Sequence, residues 1–325
     1  MPGPTKKPSR IEAQLAALDV VTADPSSQAA HSAIRAALRE APSLVAARAA
    51  KVVRAHALEG FVEDLETTFR RFLANPVKTD PGCAAKLAAL EALDFGEHDG
   101  AAPFLEATCC VQMEPAWGPP VDTAVGVRSR GILGLARLDH PDFSVAAGSL
   151  LADAQSPVRQ AAAEAIASTG EPRLGGLLVL RWNLGDEDPL VVMACMAGLL
   201  TLAPAYAFPR LRESLDRADE MAAMVLGQSS RPEALDLLLR YLAETEGSSA
   251  RAIALRAIGL HRSERSVETL LEVIATGSPH DAAAALGGLA ARRFEAGVRE
   301  KAHSAAARNR DADLDEALAA AFPPE

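Results

Sequence analysis

The chain has 325 residues, 49% of them hydrophobic and 23% charged, which is long and apolar enough for a substantial folded core. Aromatic residues make up only 4%, so Ala, Leu and Val must build that core, and such small side chains suit closely packed helices. The formal net charge is −10, and residues 81–170 carry 5 basic against 11 acidic groups, which argues against a phosphate-backbone binder, since that needs a basic face.

Residues 1–10 read as a disordered tail, basic but without the apolar run of a secretory signal. Residues 11–79 read as N-terminal capping helices and an atypical repeat, with helices expected over 11–20, 26–39, 44–58 and 60–74. Residues 80–325 read as a repeat array, with a loop insertion near 109–126 and a C-terminal capping helix. The repeat shows as a recurring small residue inside an apolar helical stretch: Ala89, Gly131, Ala162, Ala194, Ala223, Ala254 and Ala284. From Gly131 onward the spacing stays close to 31 residues, enough for two helices and two turns. The second helix of each period shows an apolar face, as in Leu235, Leu238, Leu239 and Leu242, and again in Val267, Leu270, Leu271 and Ile274. Breakers fall where turns are needed: Ser156-Pro157, Glu171-Pro172, Asp188-Pro189, Arg231-Pro232, Gly247-Ser248 and Ser278-Pro279. A single helical pair cannot bury both faces, so neighbouring pairs must stack, giving an all-α solenoid with almost no strand. The tail from Asp311 to Pro323 reads as a last short helix. Its Asp311, Asp313 and Asp315 have neither the sixth-position Gly nor the twelfth-position Glu of a calcium loop.

These copies resemble HEAT repeats of the bacterial class also called PBS-lyase-like. The resemblance is carried by Ser156-Pro157-Val158-Arg159, Ala161-Ala162 and Ala165-Ile166, by Asp188-Pro189 with Ala194, and by Arg251 with Ala254, Ala257 and Ile258. It spans residues 80–292, and more faintly 26–74. It implies a right-handed α-α superhelix of helical hairpins, with the second helix of each pair on the inner curve. It also implies a ladder of polar contacts through an Arg column. Arg128, Arg159 and Arg251 fill that column, while Val191, Glu220 and Asp281 replace it elsewhere. On activity the class is broad, including scaffolds, chromophore lyases, nucleic-acid enzymes and metal enzymes.

The chain shows little convergent chemistry. There is no HxxxH, HExxH or His-Glu pair, and Glu97-His98-Asp99 is a poor metal set because adjacent side chains do not converge on one ion. No nucleophile elbow and no phosphate loop occur, so no catalytic residue, metal or cofactor is expected. Cys83, Cys109, Cys110 and Cys195 form no CxxC and read as reduced thiols. Cys83 precedes a helix and lies between Lys78 and Lys86 in sequence, which makes it the weak candidate for a reactive cysteine. No apolar run is long enough for a membrane span, and a cytoplasmic location is expected.

Two stretches break the repeat, residues 74–86 and 109–126. The second holds Met113, Trp117, three prolines, Glu114 and Asp122. Trp117 reads either as a plug where repeats of different geometry meet or as a partner contact. The functional reading is a non-catalytic protein-interaction scaffold, monomeric or weakly oligomeric, using a concave face and the insertion. Glu114, Trp117, Asp122, Glu164 and Glu220 would meet a protein partner with a basic or amphipathic segment. The alternative is a lyase-like enzyme or enzyme subunit that binds a small molecule or pigment. A DNA-binding or DNA-repair protein is the third reading, disfavoured by the charge.

Overall fold

The computed structural model describes residues 9–309 and 314–323. Residues 1–8 of the expected tail lie outside this range, as do Asp311 and Asp313. Ser9 and Arg10 belong to structure instead. Ser9 caps the first helix through a reciprocal pair with Glu12, and Arg10 opens it.

The chain divides into two compact units, residues 1–169 and 170–325. The first contains α1 (Arg10–Val21), α2 (Gln28–Leu38), α3 (Ser43–Ala55), α4 (Val62–Leu73), α5 (Pro76–Thr79), α6 (Ala84–Phe95) and α7 (Ala102–Thr108). It continues with β1 (Met113–Glu114), β2 (Val121–Asp122), α8 (Val125–Arg137), α9 (Phe143–Leu150) and α10 (Ser156–Ser168). The helices pack in sequence order as two rows. In one row α1, α3, α6, α8 and α10 touch in succession; in the other, α2, α4 and α7 do. Their shared core includes Ile34, Phe61, Phe69, Phe72, Leu90, Leu93, Phe104, Ile132 and Leu135, all fully buried.

The second unit contains α11 (Gly175–Leu184), α12 (Pro189–Leu202), α13 (Pro204–Asp216), α14 (Glu220–Gln228) and α15 (Pro232–Glu244). It ends with α16 (Ser248–Leu260), α17 (Glu264–Thr276), α18 (Pro279–Leu289), α19 (Val298–Arg308) and α20 (Asp315–Ala321). Here α12, α14, α16, α18 and α20 form one row, and the alternate helices pack against it. The α16 and α18 backbones come so close that a Cβ on Gly259 would overlap the Gly288 carbonyl. Each unit is thus an α-solenoid of stacked helical hairpins.

Local chemistry sets the helix starts. The expected breakers open α10, α12, α15, α16 and α18, with proline in the first turn of all but α16. The repeated small residues occupy one row in each unit, in α6, α8 and α10 and in α12, α14, α16 and α18. Ala89, Gly131, Ala162, Ala223 and Ala254 are buried there, but Ala194 and Ala284 are only half-buried. Their neighbours Cys195 and Ala285 take the fully buried place, because the phase slips by one residue in those copies.

The Arg column forms local polar rungs within each unit, while the copies with Val191 and Glu220 have no arginine to contribute one. Arg128 on α8 donates to Asp153 before α10, at 2.9 and 3.1 Å. Arg159 donates to the Asp153 and Ala154 carbonyls. Arg251 on α16 donates to Asp281 on α18, at 3.0 and 3.2 Å. Asp281 does not interrupt the ladder, as its replacement of Arg suggested; it is the acceptor that closes a rung.

Candidate binding hairpin

The insertion after α7 folds into a β-hairpin within the first unit. Its two-residue strands pair antiparallel, Met113 with Asp122 and Glu114 with Val121. Residues 115–120, Pro-Ala-Trp-Gly-Pro-Pro, form the tip, where prolines deny further ladder hydrogen bonds. A two-stranded ribbon this short is not stable alone. What holds it is a buried polar base.

Asp122 and Arg128 form the first anchor. The two side chains are 5% and 3% exposed and their ion pair is 2.7 Å long. Asp122 Oδ1 also accepts from the Gln112 and Ala124 backbone N–H groups, at 3.2 and 3.0 Å. The remaining Arg128 donors reach Asp153 and the Cys110 carbonyl. Burial pushes the Asp122 carboxyl upward, but Arg128 and the two N–H donors outweigh it and hold the group below its ordinary range. For Arg128, burial acts downward, and its hydrogen bonds to Asp122 and Asp153 prevail and raise it.

Gln112 and Lys86 form the second anchor. Lys86 Nζ is fully buried and donates to Gln112 Oε1 at 2.7 Å and to the Phe72 carbonyl at 3.3 Å, with Asp80 Oδ2 at 3.4 Å. Gln112 Nε2 donates to the Asp80 carbonyl and to Glu114 Oε1. The Asp80 carboxylate in turn accepts from the first N–H groups of α6, those of Ala85 and Lys86, each at 3.0 Å. One charge pair therefore fixes the start of α6 and the root of the hairpin together.

Glu114 forms the third anchor. Its Oε1 accepts from the Thr123 hydroxyl and the Gly82 N–H, both at 2.7 Å, besides Gln112. Those three hydrogen bonds, Thr123 first, hold its pKa below the usual carboxylate range.

Above this base the hairpin is apolar. Trp117 is fully exposed at the tip, and Val111, Met113 and Val121 are each more than half exposed around the stem. Trp117 plugs nothing. Of the residues expected to meet a partner, Trp117 alone extends freely from the insertion. Asp122 is buried in an ion pair and offers no surface charge, whereas Glu114 is half-buried, with Oε1 turned into the base. Glu164 is exposed on α10, where it accepts from Gln160. Glu220 is exposed on α14 in the other unit, 3.5 Å from Arg256. The hairpin brings together Glu114, Trp117 and Asp122 but not Glu164 or Glu220.

Cys83 does not fit a reactive thiol. It is 1% exposed, 3.6 Å from the Thr123 hydroxyl, and burial pushes its pKa up. Desolvation outweighs the nearby Lys86 charge that was to lower it. Among the described residues, no group of three His, Cys, Asp or Glu side chains is arranged to hold a metal ion, and no helix is long and apolar enough to cross a membrane.

Asp80, Lys86, Gln112 and Arg128 carry much of the base; from the sequence, Arg128 reads as a ladder residue and Lys86 only as a neighbour of Cys83, while Asp80 and Gln112 carry no signal. A signal for Lys86 existed. It shares the i, i+3, i+4, i+7 face with Ala89, Leu90 and Leu93, and a lysine on a core face requires a buried partner.

Helical hairpins stacked in sequence order, each with a small-residue row, define an α-solenoid. Residues 209–290 match the family described as HEAT repeats, a stretch that runs from within α13 to the end of α18. The fold is an α-solenoid, and residues 209–290 of it are similar to HEAT repeats. Among solved structures, the chain is similar to one in the CpcE–CpcF complex of phycocyanin lyase from Nostoc sp. PCC7120. The identity is 16% and the TM-score 0.40, over 76% of this chain and 96% of that one. No curated protein matches the chain.

Proposed function

We propose that this protein is a non-catalytic binding scaffold that docks a protein partner through the Trp117 hairpin. The observation that carries the reading is the pairing of a fully exposed tryptophan with a stem locked by buried charge. An exposed tryptophan on an anchored stem offers a partner large apolar contact area, the pattern of an interface anchor. Residues 115–120 carry no charged side chain, so the tip itself is uncharged. The partner feature it suits is an apolar cleft rather than a basic segment. The test compares wild type with Trp117→Ala in affinity capture from the native extract. Saturable capture of a partner that is lost in the variant, with an unchanged unfolding midpoint, supports docking.

A second reading, a lyase-like enzyme or enzyme subunit binding a small molecule or pigment, draws on an open cavity of about 260 Å³ in the second unit. It is lined by Glu220, Met224, Ile253, Arg256 and Leu260. A thermal-shift screen with pigments and cofactors separates the two. A rise in midpoint that Arg256→Ala abolishes favours the ligand-binding reading.

A further inference from the structure

The second unit has a feature independent of the hairpin, on the helices that alternate with α12, α14, α16 and α18. Two of these helices turn charge to water, α15 through Glu233, Arg240 and Glu244 and α17 through Glu264, Glu268 and Glu272, all exposed. α11 is the exception. Of its ten residues only Gly175 and Leu178 are buried, and Leu180 and Leu184, one turn apart on one face, are 58% and 70% exposed. On α13, Tyr206 is exposed as well. Single surface hydrophobes are ordinary, but a helix that turns its leucines to water where its sister helices turn charge has the character of a contact face.

One cation joins α11 to α13. Arg210 on α13 lies over the Trp182 ring of α11, 4.9 Å from its centroid, and over the Tyr206 ring, 5.5 Å away. Its Nη2 donates to Asn183 Oδ1 on α11 at 2.7 Å. Two rings and an amide thus fix the guanidinium, and none of them is an anion. The other arginines of these two helices are neutralised, Arg181 by Asp186 and Arg212 by Asp216 and Glu244. Among the described residues, no carboxylate pairs with Arg210; Glu213, one turn further along α13, stays out of ion-pair reach. The face is therefore apolar and aromatic, with a guanidinium already oriented and left without a counter-charge. Arg, Trp and Tyr are also the side chains that dominate interface hot spots.

We infer that the α11–α13 face docks an acidic amphipathic helix of a partner protein. Apolar side chains one turn apart on that helix cover Leu180, Leu184 and Tyr206, and a carboxylate on the same side meets the open edge of Arg210. Apolar burial supplies the contact area. The guanidinium–carboxylate pair sets the register and selects against a basic helix. The face belongs to the second unit and does not rest on the docking role of the Trp117 hairpin.

The test is selection, on the full chain, from a display library of single helices of about five turns with one face randomised. Leu180→Asp combined with Leu184→Asp serves as the counter-target. Helices that bind wild type alone should carry apolar side chains at i and i+4 and an Asp or Glu on the same face. The strongest of them, made as a labelled peptide, should bind saturably in fluorescence anisotropy. Replacing its carboxylate by the amide should weaken binding about tenfold, a change that leaves the protein untouched. Arg210→Gln should weaken the acidic peptide to the same level and leave the amide peptide unchanged, the coupling of a direct pair. Leu184→Asp should abolish binding at an unchanged unfolding midpoint, because that side chain is exposed. Trp117→Ala should leave peptide binding intact, so the two docking sites fail separately. The inference is overturned if no helix distinguishes wild type from the double variant, if the selected helices carry no carboxylate, or if acid and amide peptides bind equally. A dimer in sedimentation that Leu184→Asp dissociates would also overturn it, the face then belonging to a second copy of this chain.

Discussion

At the scale of single residues, the base of the hairpin depends on charges that have left water. Removing one member of a buried pair leaves the other uncompensated, so Asp122→Ala should cost about 3–5 kcal/mol, toward the lower end because Asp153 still holds Arg128. Urea unfolding measures it. The same pair sets an acid response. The folded-state pKa of Asp122 is lowered, so its contribution is complete above the unfolded value near 3.9 and is lost as pH falls through the lower folded value. Acid unfolding followed by circular dichroism should therefore flatten over that window in Asp122→Asn. The thiols give a second check. Burial pushes Cys195 up to about 12 and raises Cys83 and Cys110, whereas Cys109 is exposed. Maleimide at neutral pH should label Cys109 first and reach Cys83 and Cys195 only on unfolding. Apart from Lys86, this base was not legible from spacing. Asp80, Gln112 and Asp122 are separated along the chain and meet only once α6 and α8 are packed. Lys86 alone announced itself, as a charge on an apolar helical face.

At the scale of elements, helices were legible and the hairpin was not. Proline in the first turn and a 3.6-residue apolar period are strong local signals, and they mark α10, α12, α15 and α18 within a residue or two. The strands β1 and β2 are two residues each, too short to show alternation, and their stability comes from side chains outside them. Trp117 admits two readings from sequence for the same reason, since exposure at a turn depends on what anchors the turn. The small-residue row was legible in period but not in phase. Ala254 is fully buried against the helices of its row and Ala194 is half-buried, so the same enlargement should act differently at the two sites. Overpacking a core position costs about 1–3 kcal/mol, which is expected for Ala254→Leu. Ala194→Leu should cost distinctly less. Denaturant midpoints of the two variants decide it, and equal losses would mean that the two sites are packed alike.

At the scale of the whole molecule, the repeat period alone conveyed the architecture, because a helical pair with two apolar faces has no stable arrangement except beside another pair. That logic reads fold and says little about binding, which we propose to reside where the repeat is broken. The first unit departs from the period at the hairpin, and that departure exposes the tryptophan on a charge-locked stem. The most direct measurement is quantitative affinity capture from the native extract with wild type and Trp117→Ala, each paired with its thermal unfolding midpoint. A partner retained by wild type and lost by the variant, at the same midpoint, is the predicted result. Equal capture by both proteins, or a large fall in the midpoint of Trp117→Ala, would contradict the hairpin as a docking element.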